Sequence, residues 1–266
     1  MRYSIITISY NSGTTIERTI KSVLAQTVKD YEYIIIDGGS IDETLDIVKK
    51  YEPLFEGRMK WKSEPDNGIY SAMNKGIERS MGEIIGICNS DDWLVDNTLE
   101  ILDSYIEANH IDVRSEVVLT GWMRFHYVEG SSVVMKRSYD EFVKGLKWYI
   151  MKMIHPATWV SRSAYDKVGF FDENLRISAD FDMMSRLYKS EVKFFFIEQI
   201  LTNMSDGGAS NSHKTWLGEK NYMLKKNNEP FYTRWKILVY HWLTSRVKRL
   251  LPSIIIKSYR KRKSGR

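Results

Sequence analysis

Apolar and polar positions along the first half of the chain fall into blocks that switch between two periods. Residues 3–8 and 31–36 are short, nearly continuous apolar runs, and the stretches that follow them, 14–25 and 42–51, are amphipathic. Runs of that length read as strands, and the amphipathic stretches read as helices. A short strand at 59–62, a helix at 69–79 and an apolar strand at 83–88 continue the series. Strand and helix in alternation predict parallel βαβ units and an open α/β sheet. After a helix at 97–107 the alternation fades. Residues 117–121, 123–127 and 133–137 read as strands of a mixed or antiparallel extension, His155-Pro156 precedes another apolar strand, and Ser178-Ala179-Asp180 opens a helical pattern over 182–188. No internal repeat or low-complexity linker interrupts this order.

In open α/β sheets ligands sit beyond the carboxyl ends of the strands. Three polar clusters are predicted there, on one edge: Ser9-Tyr10-Asn11, Asp37-Gly38-Gly39-Ser40 and Ser90-Asp91-Asp92. Adjacent carboxylates such as Asp91 and Asp92 suit a hard divalent cation and leave coordination places for a diphosphate. The alternative is a helix cap, for which Asp96 or Asn97 is better placed. The glycines after Asp37 allow a ligand to approach the backbone, or simply turn the chain into a helix capped by Ser40. A carboxylate at Asp37 would accept a hydrogen bond from a base or ribose. The glycine spacing is not that of a dinucleotide site.

Composition adds little to the fold and more to the partners. The 266 residues, 43% hydrophobic and 27% charged, suit one large globular core. The single cysteine, Cys88, makes no intramolecular disulfide, and no secretory pattern opens the chain, so a reducing, cytoplasmic setting is expected. The net charge of +5 hides an asymmetry: 11 Lys and Arg and no acid follow Glu229, which leaves residues 1–229 at −6. Two regions with different partners are implied.

Four segments taken together carry more than any alone: Ser4 through Asn11 (SIITISYN), Asp37 through Thr44 (DGGSIDET), Glu64 through Gly76 (EPDNGIYSAMNKG) and Asn89-Ser90-Asp91-Asp92. In this order and spacing they resemble the signature of glycosyltransferase family 2, strongly over residues 1–95 and more loosely over 150–210. The resemblance implies the GT-A fold, a Rossmann-like α/β sheet, and transfer of a sugar from a nucleoside diphosphate with inversion at the anomeric carbon, UDP being the favoured nucleotide. It implies a nucleotide-sugar site built from Thr7, Ser9, Tyr10, Asn11, Asp37, Gly38, Ser40, Asp66, Asn67, Asn74, Lys75, Ser90 and Asp91. Within it Asp37 would be the base-binding acid, and Asp91 would lie by the ribose and diphosphate. Asp92 becomes the ligand of a divalent cation, Mn or Mg, with His213 as a candidate partner from a loop. The family pattern has a Glu-Asp pair opening a helix, with the aspartate as general base. Here Asp180 takes that place, the preceding residue is Ala179, and Asp182 is the alternative. His155, Trp93 and Asp182 would face the acceptor. Trp93, Trp122 and Trp159 are candidates for a sugar platform, against the plainer reading that most are core.

From residue 231 aromatic and aliphatic residues interleave with cations, ending in the basic run 257–266. Trp235, Ile237, Leu238, Trp242, Leu243, Val247, Leu250 and Leu251 are compatible with one apolar helical face that lies in an anionic membrane surface, with no run long enough to span it. A tail packed on the core is the alternative. The expected organisation is a GT-A domain over 1–230, with a nucleotide-sugar half (1–95) and an acceptor half (96–230), and a basic extension over 231–266. A saccharide or lipid-linked saccharide acceptor, a role in surface polysaccharide synthesis and a place on the inner face of the cell membrane follow by analogy. Nucleic acid is not an expected partner, since no motif for it accompanies the charge. Two other classes remain: a sugar nucleotidyltransferase, which lacks its phosphate loop here, and a non-catalytic nucleotide-sugar or membrane binding module.

Overall fold

Every residue of the first two strands, β1 (Tyr3–Ser9) and β2 (Tyr31–Asp37), is buried, and their side chains alternate between two cores. Ile6, Ile8, Ile34 and Ile36 point to one face of the sheet, and Tyr3, Ile5, Tyr31, Tyr33 and Ile35 to the other. Such strands need helices on both sides, and the chain supplies them. Helix α1 (Ile16–Leu24) buries Ile16, Thr19, Ile20 and Val23, one stripe at helical spacing. Helix α2 (Thr44–Tyr51) follows β2, and α3 (Ile69–Arg79) follows β3 (Met59–Ser63).

The computed structural model describes residues 1–206 and 213–250. Among these, the strands form a single nine-stranded sheet. Strand β1 lies parallel to β2 on one side and to β4 (Ile84–Ile87) on the other, with β3 beyond β2. The chain therefore changes direction of travel between β1 and β4, the position where an open α/β sheet forms a crevice. β5 (Trp93–Leu94) leads into α4 (Thr98–Ala108). The second half then extends the sheet with β6 (Val117–His126), β7 (Ser132–Met135), β8 (Thr158–Ser161) and β9 (Lys193–Ser205). The stretches 117–121 and 123–127, expected as two strands, form one strand whose register against β9 shifts at Trp122. Strand β8 inserts antiparallel between β4 and β6 and joins the two halves into one surface.

Helices α5 (Tyr139–Lys147), α6 (Arg162–Val168) and α7 (Ala179–Lys189) cover the second half, followed by α8 (His213–Lys226) and α9 (Phe231–Leu250). The tail does not present its apolar residues on one outward face as expected. Ile237 is in the core, Leu238 packs against it, and the ring of His241 is buried against the carbonyl of Trp148 at 2.7 Å. Among the described side chains, the outward aromatic and aliphatic residues are Phe231, Tyr232, Trp235, Tyr240, Trp242 and Leu243. Residues 251–266, and the side chains of Val247 and Leu250, lie outside the described residues.

The junction of the halves is tight. Gly86 of β4 pairs with Trp159 of β8, and a Cβ on Gly86 would stand 2.5 Å from the indole ring. Trp159, one of the three candidate sugar platforms, is thereby core, 2% exposed. Gly86→Ala is expected to destabilise the protein by about 1–3 kcal/mol, because the ring has no room to retreat in a packed core; urea unfolding of the two proteins measures it.

Candidate active site

The carboxyl ends of β1, β2 and β4 lie side by side, since Ser9 pairs with Asp37 and Ile6 with Ile87. The residues predicted for one edge are therefore on one edge. Asp37 is fully buried, and its carboxylate accepts five hydrogen bonds: from the hydroxyls of Ser9 (2.9 Å), Ser40 (2.5 Å) and Ser63 (2.7 Å), and from the backbone N–H of Gly39 (3.1 Å) and Ser40 (2.8 Å). Burial alone would raise its pKa, but these donors outweigh it and hold the group below the usual carboxylate range. Asp37 is thus committed to tying three strand ends together. Ser40 serves the same knot and is no helix cap; α2 starts at Thr44, whose N–H is held by Asp42 at 3.1 Å.

Beside this knot Asn11 takes a left-handed backbone (φ 48°), donates its N–H to Ser40 Oγ and accepts the N–H of Ile41. Tyr10 is 66% exposed. Gly38 leaves a space that Asp66 fills: a Cβ there would meet Asp66 Oδ2 at 2.8 Å and the Tyr10 ring at 3.4 Å. Asp66 Oδ1 accepts the N–H of Gly68, and Asn67 is exposed. Lys75 pairs with Glu64 at 3.1 Å. Thr7 faces inward, bridging the Cys88 carbonyl (2.7 Å) and the Tyr33 hydroxyl (3.0 Å), so its hydroxyl belongs to the core and not to the ligand edge.

Asp91 and Asp92 follow β4 and cap no helix, because β5 intervenes and α4 begins at Thr98. Asp92 is fully buried. Its Oδ2 accepts the Asn89 side-chain amide at 3.3 Å, while its Oδ1 and Asn89 Oδ1 are buried with no hydrogen-bond partner among the described residues. Burial first, and then the charge of Asp91, push its pKa up to about 8. Two orphaned oxygen acceptors, one on a disfavoured carboxylate and one on the neighbouring Asn89 amide, fit a hard cation, which takes oxygen ligands and offsets the buried charge. Among the described residues no group of three or more His, Cys, Asp or Glu is arranged so as to hold a metal ion by itself, and the side chain of His213 lies outside them. Ser90 bonds Ser12 through their hydroxyls at 2.8 Å.

Arg18, which nothing in the sequence singled out, organises this corner. It donates to the Asp91 carbonyl (2.8 Å) and to Ser205 Oγ (2.7 Å), and its guanidinium lies 3.7 Å from the Trp93 ring centroid. The ring of His126 also lies against Trp93, with centroids 4.8 Å apart. Trp122 carries Lys136 over its ring at 4.3 Å.

The second half of the site is stapled to the first by Asn74, the predicted nucleotide ligand. Its side chain donates to the Phe171 carbonyl (3.0 Å) and Glu173 (2.9 Å) and accepts the Phe171 N–H (2.9 Å), so it is occupied in holding α3 to the 170–180 segment. Phe171 stacks on Tyr70 at 5.5 Å and receives His155 edge-on at 5.7 Å. Both ring nitrogens of His155 are buried with no hydrogen-bond partner among the described residues, and burial lowers its pKa to about 4, so the ring is neutral. Asp180 lies at the opening of α7, where its Oδ1 accepts the N–H of Phe181 at 2.7 Å. Burial raises its pKa to about 6. Asp182, the alternative base, is 3% exposed and paired with Arg186 (2.8 Å) and Lys226 (3.2 Å). Its charge is consumed by those cations.

The sequence over residues 4–169 matches the family described as Glycosyl transferase family 2. The chain belongs to glycosyltransferase family 2. This family 2 chain is 31% identical over 185 residues to an uncharacterized glycosyltransferase of Mycobacterium tuberculosis, covering 69% of this chain and 67% of the relative. It is 26% identical over 190 residues to the PGL/p-HBAD biosynthesis glycosyltransferase of Mycobacterium bovis, covering 71% and 70%. Its fold is that of GT-A glycosyltransferases. Residues 1–349 of S. aureus TarS, in complex with UDP-GlcNAc, superpose with a TM-score of 0.67 at 18% identity, over 90% of this chain and 70% of that one. The chain spans 43% of the longer TarS chain. A mannosyltransferase of Pyrobaculum calidifontis, in complex with GDP-Man and Mn2+, superposes with a TM-score of 0.61 at 14% identity, over 89% and 68%.

The Asp37 knot has a measurable signature. Because its pKa is lowered on folding, it adds stability above the carboxyl's unfolded pKa and loses it as pH falls through the folded value. Asp37→Asn is expected to cost about 1–3 kcal/mol at neutral pH, since an amide sets N–H against N–H. The gap between the two proteins in urea unfolding should close on acidification below about pH 4.

Proposed function

We propose that this chain is an inverting, metal-assisted glycosyltransferase that moves a sugar from a UDP-sugar to a hydroxyl of a saccharide or lipid-linked saccharide. The observation that carries the proposal is how the buried carboxylates divide. Asp37 and Asp182 are saturated by donors and cations of the protein, whereas Asp92 keeps an orphaned oxygen and Asp180 a raised pKa. Groups held away from their relaxed state in a cleft are the ones available for chemistry.

In this reading the diphosphate lies across the β1–β4 crevice, beside Ser12, Ser90 and the backbone of Asp91. Asp92 and Asn89 hold a divalent cation, Mn or Mg, which when bound neutralises the departing diphosphate. With Asp37 occupied, the carboxylate oxygen facing the base is Oδ2 of Asp66 over Gly38, with the exposed Tyr10 ring as platform. Asp180 accepts the proton of the acceptor hydroxyl as that oxygen attacks the anomeric carbon from the face opposite the diphosphate, so the bond to the leaving oxygen breaks with inversion. Neutral His155 bonds an acceptor hydroxyl. The UDP-GlcNAc-bound TarS and the GDP-Man-bound mannosyltransferase support a nucleotide-sugar donor.

Asp92→Asn is expected to abolish the metal-dependent rise in melting temperature with UDP, and Asp180→Asn to keep it while losing transfer and slow UDP release. Wild-type turnover should fall as pH drops through about 6, where Asp180 takes up a proton. Full turnover by Asp180→Asn would remove the base, and the absence of donor hydrolysis by wild type would favour a binding module.

We also read the outward face of α9 as the part that seats the protein on an anionic membrane. Phe231, Trp235 and Trp242 stand 77%, 63% and 48% exposed along one side, with Tyr232 and Leu243 beside them and Lys236 exposed. No helix among the described residues is long and apolar enough to cross a membrane. The double substitution Phe231→Glu, Trp235→Glu should abolish flotation with phosphatidylglycerol vesicles and leave the melting temperature unchanged, because neither ring is in the core. Unchanged flotation would refute this face as the anchor.

A further inference from the structure

Position 179, immediately before the base, is an alanine buried in the core, so the opening of α7 has no acidic side chain of its own ahead of Asp180. Ser178, the N-cap, makes no side-chain bond to the helix. A helix start of this kind leaves backbone N–H groups unpaired and the first turn free to fray. Within the first turn Asp180 itself meets the Phe181 N–H, and the segment ahead of the helix is held from elsewhere in the chain. Glu219 of α8, forty-one residues further along than Ser178 and 7% exposed, brings its carboxylate to the segment leading into α7. Oε1 accepts the N–H of Arg176 at 2.8 Å, and Oε2 accepts those of Ile177 at 3.1 Å and Ser178 at 3.0 Å.

The next residue, Lys220, is also buried, 3% exposed. Its ammonium donates to the carbonyl of Tyr149 and lies 5.8 Å from the ring of Phe181, the residue that follows the base. Among the described residues, the charged groups acting on Asp180 are Glu219 and Lys220 from α8, with the Tyr70 hydroxyl of α3 facing the backbone of Ala179 and Asp180. Burial dominates the state of Asp180; Glu219 opposes its charged form and Lys220 favours it. Burial likewise lowers Lys220 to about 8, against the pull of Asp180.

We infer that the Glu219-Lys220 pair of α8 is the positioning device of the base: Glu219 fixes the backbone from which Asp180 projects, and Lys220, buried against Phe181, places a positive charge beside it. Neither residue touches the reacting atoms. The inference rests on Asp180 being the base, and the geometry explains why the helix opening works without an acidic neighbour. A glutamine at 219 cannot replace the glutamate, because one of its two terminal atoms is a donor facing N–H donors.

The test uses the full chain with Mn2+ and reads UDP release from UDP-glucose, UDP-galactose and UDP-N-acetylglucosamine across pH. Glu219→Gln is expected to lower kcat about 100-fold, the size of effect a small misplacement of a catalytic group produces. Its donor KM should stay near the wild-type value, its acid limb should move to lower pH, and amide exchange over residues 176–182 should quicken. Lys220→Met should move the acid limb to higher pH and recover rate there, while Lys220→Arg keeps the wild-type limb. A purely structural lesion would scale the rate at every pH and leave both limbs in place. An inactive Asp180→Asn beside a Glu219→Gln of wild-type kcat and pH profile overturns the positioning role alone. A fully active Asp180→Asn overturns the base, and with it the basis of this inference, whereas the exchange readout still reports the backbone clamp. Should Glu219→Gln fail to fold, the Lys220 pair decides: an unmoved limb in Lys220→Met overturns the proposal.

Discussion

The site edge depends on one buried carboxylate. Asp37 sits where three parallel strands end and their backbones and hydroxyls need a common acceptor; its two oxygens take five donors from β1, the β2 turn and β3. Without that anion the serines would compete for each other and the turn at Gly38-Gly39 would lose its anchor. The rest of the edge is arranged around this knot. Asn11 and Ser40 are oriented by it, and Asp66 fills the gap left by Gly38.

The same accounting distinguishes the other acids. A buried carboxylate is stable only when its lone pairs are met, so the partners of each one state its role. Asp182 is met by two cations, and Glu219 by three backbone amides. Asp92 and Asp180 are the ones whose charged forms the protein disfavours. Near neutrality such groups exchange protons or recruit ions.

Much of the fold was legible because its signals are local. Continuous apolar runs and helical stripes over residues 1–108 carry their own periodicity, and the polar clusters fall at strand ends where the sheet puts them side by side. The second half was harder. The register shift at Trp122 and the insertion of β8 beside β4 depend on pairings remote in sequence, which periodicity does not encode. In the site, residue types were read correctly as polar, but their tasks were not separable: Thr7 and Asn74 look like ligands in sequence and are structural in space. Arg18, Glu219 and Lys220 were invisible because each acts on a residue more than 35 positions away, through a helix face that otherwise reads as solvated. In α9 the stripe of apolar residues was apparent, but which side met the core was not.

The Asn74 staple has a thermodynamic consequence. Three hydrogen bonds fasten α3, on the nucleotide side, to the segment that carries Phe171 and leads to Asp180. The relative placement of the two sides is therefore fixed when the chain folds, and the loss of freedom that assembling them entails is borne by folding rather than by substrate capture. A donor and acceptor arriving at such a frame give up their own motion, but need not also restrain the protein's.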